Sequence, residues 1–144
     1  MKIDDILASW AVDAEQDITA IGDNAMAIGR LHHKYYSILI QENMLLYKYS
    51  NDMKVLKLDK REFLTQGPSE ENKNLGWKLP PKGKIIKSDV DVYIDADKDI
   101  IELSLKIAMQ NEKIELLQSL IKVVVNRNFT LRIALDWEKF KSGA

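Results

Sequence analysis

The chain has 144 residues, of which 46% are hydrophobic and 30% are charged, and its formal net charge is −1. This length predicts one domain, or one domain with an extension, and the near-neutral charge indicates no particular class of partner. The lack of cysteine excludes disulfides, thiolate metal sites and cysteine nucleophiles. The sequence has no signal-peptide pattern and no apolar run long enough to cross a membrane, so we expect a cytoplasmic protein with no membrane partner.

Two helices are predicted before the first proline. Residues 4–20 carry apolar side chains at helical spacing, the last of them Ile18, and Gly22-Asp23-Asn24 then predicts a break or a soft kink. Residues 24–66 contain no proline and repeat apolar side chains at heptad-like spacing. They predict one helix about 60 Å long, which is too long for a compact domain of this size. Part of it should project or pack against a neighbouring chain.

The middle of the chain, residues 67–95, predicts a loop followed by an extended segment. Gly67-Pro68 ends the long helix, and all three prolines lie between residues 67 and 84. We expect Trp77 and Leu79 to anchor this loop to the core. Residues 90–94 alternate apolar and polar side chains, which fits a short strand. A lone strand has no obvious partner, so a helix fits these residues equally well.

The C-terminal region predicts two helices that form a hairpin. Asp95 or Asp97 can cap the first, which runs to residue 125, and Asn126-Arg127-Asn128 predicts a break before a last helix over residues 129–140. The first helix is apolar on more than one face. Burial within one monomer explains a single apolar face, whereas a second indicates self-association. The predicted oligomerisation residues are Ile107, Ile114, Leu117, Ile121, Val124, Phe129 and Trp137.

These elements predict an all-α fold, with a long N-terminal helix, an irregular middle loop and a C-terminal helical hairpin that oligomerises. The corresponding regions are residues 1–66, the N-terminal helical region that contains the basic face described below, residues 67–95, which form the loop and extended segment, and residues 96–144, which would oligomerise.

No constellation of side chains predicts an enzyme. His32 and His33 are adjacent and point about 100° apart on a helix, so they cannot jointly hold a metal. The sequence contains no phosphate-binding glycine loop and no serine in a nucleophile-elbow context. We therefore predict no catalytic residue, no metal site and no cofactor.

A basic face near the end of the long helix is the strongest functional signal. Cations that follow phosphates, beside aromatic rings that stack on bases, are typical of proteins that bind single-stranded DNA. A solvated helix face is the alternative, and the loop lysines Lys78, Lys82, Lys84 and Lys87 are a competing basic group. The predicted DNA-binding residues are Lys54, Lys57, Lys60, Arg61 and Phe63, with Tyr47 and Tyr49 upstream.

Several segments resemble the UvsY family, the recombination mediators of T-even-type bacteriophages. The resemblance covers roughly residues 20–142, and the segments that carry it are Lys60-Arg61-Glu62-Phe63, Ala96–Ile101, Asn126–Arg132 and Asp136–Phe140. The family has a Lys-x-Arg pattern before its acidic-aromatic pair. In this chain Lys60 stands at the Arg position and Leu58 at the Lys position.

The resemblance implies a non-enzymatic, all-helical protein that acts in the host-cell cytoplasm. Such a protein would form a ring, of six or seven copies, through its C-terminal helices and would bind single-stranded DNA. Its further partners would be a RecA-like phage recombinase and the phage single-strand-binding protein, which the recombinase replaces on DNA. The alternative is an oligomeric helical scaffold or adaptor that binds only protein partners.

Overall fold

The computed structural model describes residues 1–17 and 19–143, and within these residues the regular structure is entirely helical. The α-helices are α1 (Ile3–Asp13), α2 (Ile21–Gln66), α3 (Val90–Asp95) and α4 (Lys98–Lys141), with a short 3-10 turn at Lys73–Leu75. The predicted all-α fold and the predicted long N-terminal helix are confirmed. Ile18, predicted to lie on the face of the first helix, is outside the described residues.

The structure corrects two predicted boundaries and decides two open alternatives. The predicted break at Gly22-Asp23-Asn24 is wrong, because these residues lie inside α2, which begins at Ile21. The first helix ends at Asp13 rather than at residue 20. Residues 90–95 form α3 and are not extended, because Val90 and Ile94, one helical turn apart, both fit into the core and are at most 2% exposed. Of the two candidates for the N-cap of α4, Asp95 and Asp97, the structure selects Asp97. Its Oδ1 accepts hydrogen bonds from the backbone N–H groups of Asp99 and Ile100 at the start of α4.

The predicted break at residues 126–128, and with it the C-terminal hairpin, is wrong, because α4 is continuous over 44 residues. The segment contains neither glycine nor proline. Its buried stripe also passes through the expected break, since Val124, Arg127 and Leu131 are all buried at helical spacing. Asn126 and Asn128 lie on the exposed side, where asparagine costs a helix only a few tenths of a kcal/mol.

The chain forms two compact units, and α2 and α4 each contribute to both. The first unit comprises residues 1–44 and 110–144, and the second comprises residues 45–109. The buried side chains of the first unit repeat at spacings of three and four on each long helix, which is the pattern of helices packed along their apolar stripes. They are Leu31, Tyr35, Leu39 and Glu42 on α2, and Gln110, Ile114, Leu117, Leu120, Val124, Arg127 and Leu131 on α4.

A buried carboxylate joins α2 to α4 in the first unit. Glu42 Oε2 accepts hydrogen bonds from Gln110 Nε2 at 2.7 Å and from Lys113 Nζ at 3.1 Å. Burial acts to raise the pKa of Glu42, but the hydrogen bonds from Gln110 and Lys113 outweigh it and leave this pKa below its ordinary value. Glu42 thus occupies an apolar position of the heptad pattern of α2, and its buried carboxylate is hydrogen-bonded by Gln110 and Lys113.

A second polar cluster attaches α1 to the long helices. The Tyr35 hydroxyl donates to Asp13 Oδ2 at 2.7 Å, and Arg127 donates to the Asp13 backbone carbonyl. Trp10 packs edge-on against Tyr35 and lies beneath the Arg127 guanidinium. Burial, together with the hydrogen bond to Asp13, raises the pKa of Tyr35 to about 12.

The second unit has a core of its own at the end of α2. Phe63, Leu64, Ile85, Val90, Ile94 and Ile100 form its buried cluster. Trp77 and Leu79 pack against this cluster, as predicted for the anchors of the loop. Gly67 ends α2 with φ of 85°, a conformation that favours glycine, and its N–H donates to the Phe63 carbonyl at 2.9 Å.

Candidate nucleic-acid interface

Three of the predicted DNA-binding cations lie on the surface of α2 in the second unit. Lys54, Lys57 and Arg61 are exposed and follow one another at spacings of three and four, so they share one side of the helix. The Arg61 guanidinium pairs with Asp91 at 2.8 Å. Because 47% of the Arg61 side chain and 73% of the Asp91 side chain are exposed, this pair contributes about 0–1 kcal/mol. Arg61 can therefore exchange its partner for a phosphate at little cost.

Lys60 lies inside the second unit and not on its surface. Only 5% of the residue is exposed, and Nζ lies 2.7 Å from Asp99 Oδ2 and 3.2 Å from Asp97 Oδ2. The same ammonium lies 4.0 Å from the centroid of the Trp77 ring. Lys60 thus connects α2, the middle loop and the first turn of α4, and its ammonium is already neutralised by two carboxylates.

Phe63 is also turned away from solvent. It is 3% exposed, and its ring meets that of Trp77 edge-on with centroids 5.6 Å apart. A base cannot stack on Phe63 in this arrangement. The aromatic residue of this region that does face solvent is Tyr47, at 65% exposed, whereas Tyr49 is only half-buried and has the Lys106 ammonium over its ring.

The competing basic group in the loop is equally accessible. Lys78, Lys82, Lys84 and Lys87 are all exposed. The Lys84 stem approaches the end of α2, since a Cβ at Gly67 would lie 3.1 Å from Lys84 Cε. There a cation is favourable beside the free carbonyls of the last helical turn. The second unit therefore offers two sets of exposed cations, one on α2 and one on the loop.

The predicted oligomerisation residues divide into buried and exposed groups. Ile114, Leu117 and Val124 are at most 6% exposed within the chain, while Ile107 and Ile121 are half-buried. Phe129 and Trp137 are exposed by 67% and 54%. Exposed apolar side chains lie along the earlier part of α4, at Ile101, Leu105, Met109, Val123 and Val125. A further exposed apolar group lies at the C-terminal end of α4. Its exposed apolar side chains are Phe129, Ile133, Leu135, Trp137 and Phe140.

The described residues contain no cluster of three or more histidine, cysteine or carboxylate side chains arranged to hold a metal ion. Among the described helices none is both long and apolar enough to span a membrane.

Comparisons with known proteins identify the fold and the family. A comparison with curated proteins found no match. Among solved structures, the crystal structure of the bacteriophage T4 recombination mediator protein UvsY matches with a TM-score of 0.79 and 17% identity, over 99% of this chain and 98% of the T4 chain. At that identity the match establishes the fold. The family model described as "Recombination, repair and ssDNA binding protein UvsY" matches residues 9–144, and the chain therefore belongs to the UvsY family.

Proposed function

We propose that the protein is a recombination mediator that acts in the host-cell cytoplasm without a catalytic step of its own. It binds single-stranded DNA and promotes loading of a RecA-like phage recombinase in place of the single-strand-binding protein. Membership of the UvsY family carries the proposal. The exposed cations Lys54, Lys57 and Arg61 supply the chemistry that a phosphate backbone requires.

The protein acts as a homo-oligomer, a ring of six or seven copies that associate through α4. The uncovered apolar side chains at the end of α4 support association, since exposed apolar patches mark contacts between proteins. Head-to-tail contacts between identical chains form a ring when the rotation from one copy to the next closes. In a ring, several copies of a weak site engage one strand together, so modest affinity per chain still gives tight binding.

The basic face of α2 is tested by neutralising Lys54, Lys57 and Arg61 together as glutamine and measuring single-strand binding by fluorescence anisotropy over a range of salt concentrations. Each phosphate contact to a single strand contributes roughly 0.7 to the logarithmic salt slope. The triple variant should therefore lower the slope by about 2 per engaged chain. A duplex of the same length should bind more weakly than the single strand.

The matched control neutralises Lys82, Lys84 and Lys87 in the loop, which changes the net charge equally. If this loop variant loses the salt slope and the helix variant does not, the DNA path lies on the loop. If the unmodified oligomer does not bind single strands at all, the protein is instead a scaffold for protein partners.

Mediator activity itself requires a second measurement. Single-stranded DNA covered with the phage single-strand-binding protein is mixed with the recombinase, and the recombinase's DNA-dependent ATPase reports filament assembly. The protein should shorten the delay before ATP hydrolysis begins. An unchanged delay, in the presence of confirmed DNA binding, would contradict loading of the recombinase.

A further inference from the structure

Tyr47 is an aromatic residue that lies on the surface of the second unit and outside its core. Its side chain is on the second unit, where the remaining aromatic residues are Tyr49, Phe63, Trp77 and Tyr93. Every residue of this unit is described, and among its aromatic residues Tyr47 alone is mainly exposed to solvent. A large ring that is 65% exposed is not explained by packing within the unit.

The other aromatic rings of the unit already have partners. Phe63 and Trp77 pack against each other, and the Trp77 ring also lies under the Lys60 ammonium. Tyr49 lies under the Lys106 ammonium, and Tyr93 packs against the buried cluster. These rings are therefore engaged in contacts that stabilise the unit.

Tyr47 is aligned with the exposed cations of α2. Tyr47, Lys54 and Arg61 are spaced by seven residues, and two turns of a helix return a side chain to nearly the same side. The spacing corresponds to about 10 Å along the axis between successive members. Lys48, Asn51 and Asp52 are the exposed residues between Tyr47 and Lys54, and of these Asn51, which is short and uncharged, lies on the same side of the helix as both. An aromatic face therefore lies at one end of a row of cations.

We propose that Tyr47 is the residue on which a base of the bound single strand stacks, in place of the buried Phe63. The inference depends on the proposed function, since the cations that hold the strand are those of the same α2 face. The strand's phosphates lie along Lys54, Lys57 and Arg61, and a base beyond them lies flat against the Tyr47 ring. Stacking on a ring reads no sequence, because every base has a π-face.

The test compares two replacements of Tyr47 on two kinds of strand. Tyr47→Phe keeps the ring, whereas Tyr47→Leu removes the ring and keeps an apolar side chain of good helix propensity. Each variant, as the full chain, is titrated with an oligothymidine and with an abasic strand of the same length and charge. We expect Tyr47→Phe to bind oligothymidine as the unmodified protein does and Tyr47→Leu to bind it about five- to a hundredfold more weakly per engaged base. All three proteins should bind the abasic strand equally.

Tyr36→Leu is the matched control for loss of an exposed ring. Tyr36 is 48% exposed on the same helix, but the residue seven positions later is Asn43 rather than a cation. This variant should bind oligothymidine normally.

The outcomes separate this inference from the function on which it depends. If Tyr47→Leu binds oligothymidine as tightly as the unmodified protein while neutralised Lys54, Lys57 and Arg61 weaken binding, the stacking role is refuted and DNA binding stands. If Tyr47→Leu changes the mass of the oligomer, Tyr47 is a protein contact and the inference is again refuted. If the unmodified protein binds no single strand, both proposals fail.

Discussion

Replacing Lys60 tests whether this lysine stabilises the fold or binds DNA. Its ammonium lies between Asp97 and Asp99 and over the Trp77 ring. Lys60→Met keeps most of the apolar stem and removes the charge. Breaking a buried ion pair costs about 3–5 kcal/mol, but Asp97 and Asp99 have side chains that are 21% and 47% exposed and can recover water. We therefore expect a loss of about 2 kcal/mol, between the values for buried and for exposed pairs.

The assay is thermal unfolding followed by circular dichroism at one fixed protein concentration, since association changes the midpoint. For a chain of this length, about 2 kcal/mol corresponds to a decrease in midpoint of roughly 5–8 °C. Lys57→Met is the matched control, because Lys57 is exposed on the same helix and its replacement should alter stability by no more than about 0.5 kcal/mol.

DNA binding measured on the same two variants completes the comparison. Lys57→Met should lower the salt slope, whereas Lys60→Met, assayed well below its unfolding midpoint, should leave the slope unchanged. The reasoning is refuted if Lys60→Met unfolds at the same temperature as the unmodified protein and loses salt slope. That result would mean that the Lys60 ammonium contacts phosphate and not Asp97 and Asp99.

Three further predictions concern the first unit. Replacing both Phe129 and Trp137 with glutamate should reduce the oligomer to monomers of unchanged helicity, as checked by light scattering and circular dichroism. In contrast, Leu117→Glu should unfold the unit, because Leu117 is fully buried. An intact oligomer in the double variant would exclude this end of α4 as the interface. The lowered pKa of Glu42 means that its contribution to stability is present above about pH 4.5, its ordinary value, and is lost as pH falls below it. The free energy of unfolding, measured with urea at several pH values, should therefore fall less steeply below pH 4.5 in Glu42→Gln than in the unmodified protein. An equal fall in both proteins would contradict a charged Glu42. The pKa of Tyr35 is raised from 10.0 to about 12, so the unfolded chain loses the hydroxyl proton at lower pH than the folded chain. The free energy of unfolding should therefore decrease by about 2–3 kcal/mol as pH rises between these two values. Tyr35→Phe should not show this decrease, and a decrease of equal size in the variant would assign it to other groups.

The sequence alone was sufficient to predict the all-helical class and the C-terminal end of α2. Local chemistry determines both, because long segments with apolar side chains at helical spacing form helices, and glycine followed by proline ends one. The anchoring of the loop by Trp77 was also predicted. The same local rules limited the cap of α4 to Asp95 or Asp97, and the structure selects Asp97. The resemblance to the family was recognisable from short segments that contain Arg61 and Trp137, and the side chains of both residues are exposed.

Which side chains of each pattern are buried depends on packing between distant parts of the chain. Lys57, Lys60 and Arg61 are close together in sequence and equally basic, yet Lys60 alone of these three is enclosed, because Asp97 and Asp99 come from a helix that begins more than thirty residues later. Arg127, which lies in the predicted break of α4, is likewise buried and donates to Asp13, more than a hundred residues away. Glu42 interrupts a heptad pattern that would otherwise favour an apolar residue, and Gln110 and Lys113 make that charge acceptable. Spacing along a helix specifies which residues share a face, but the partner that covers this face comes from distant parts of the chain, and its position is set by the packing of the whole unit.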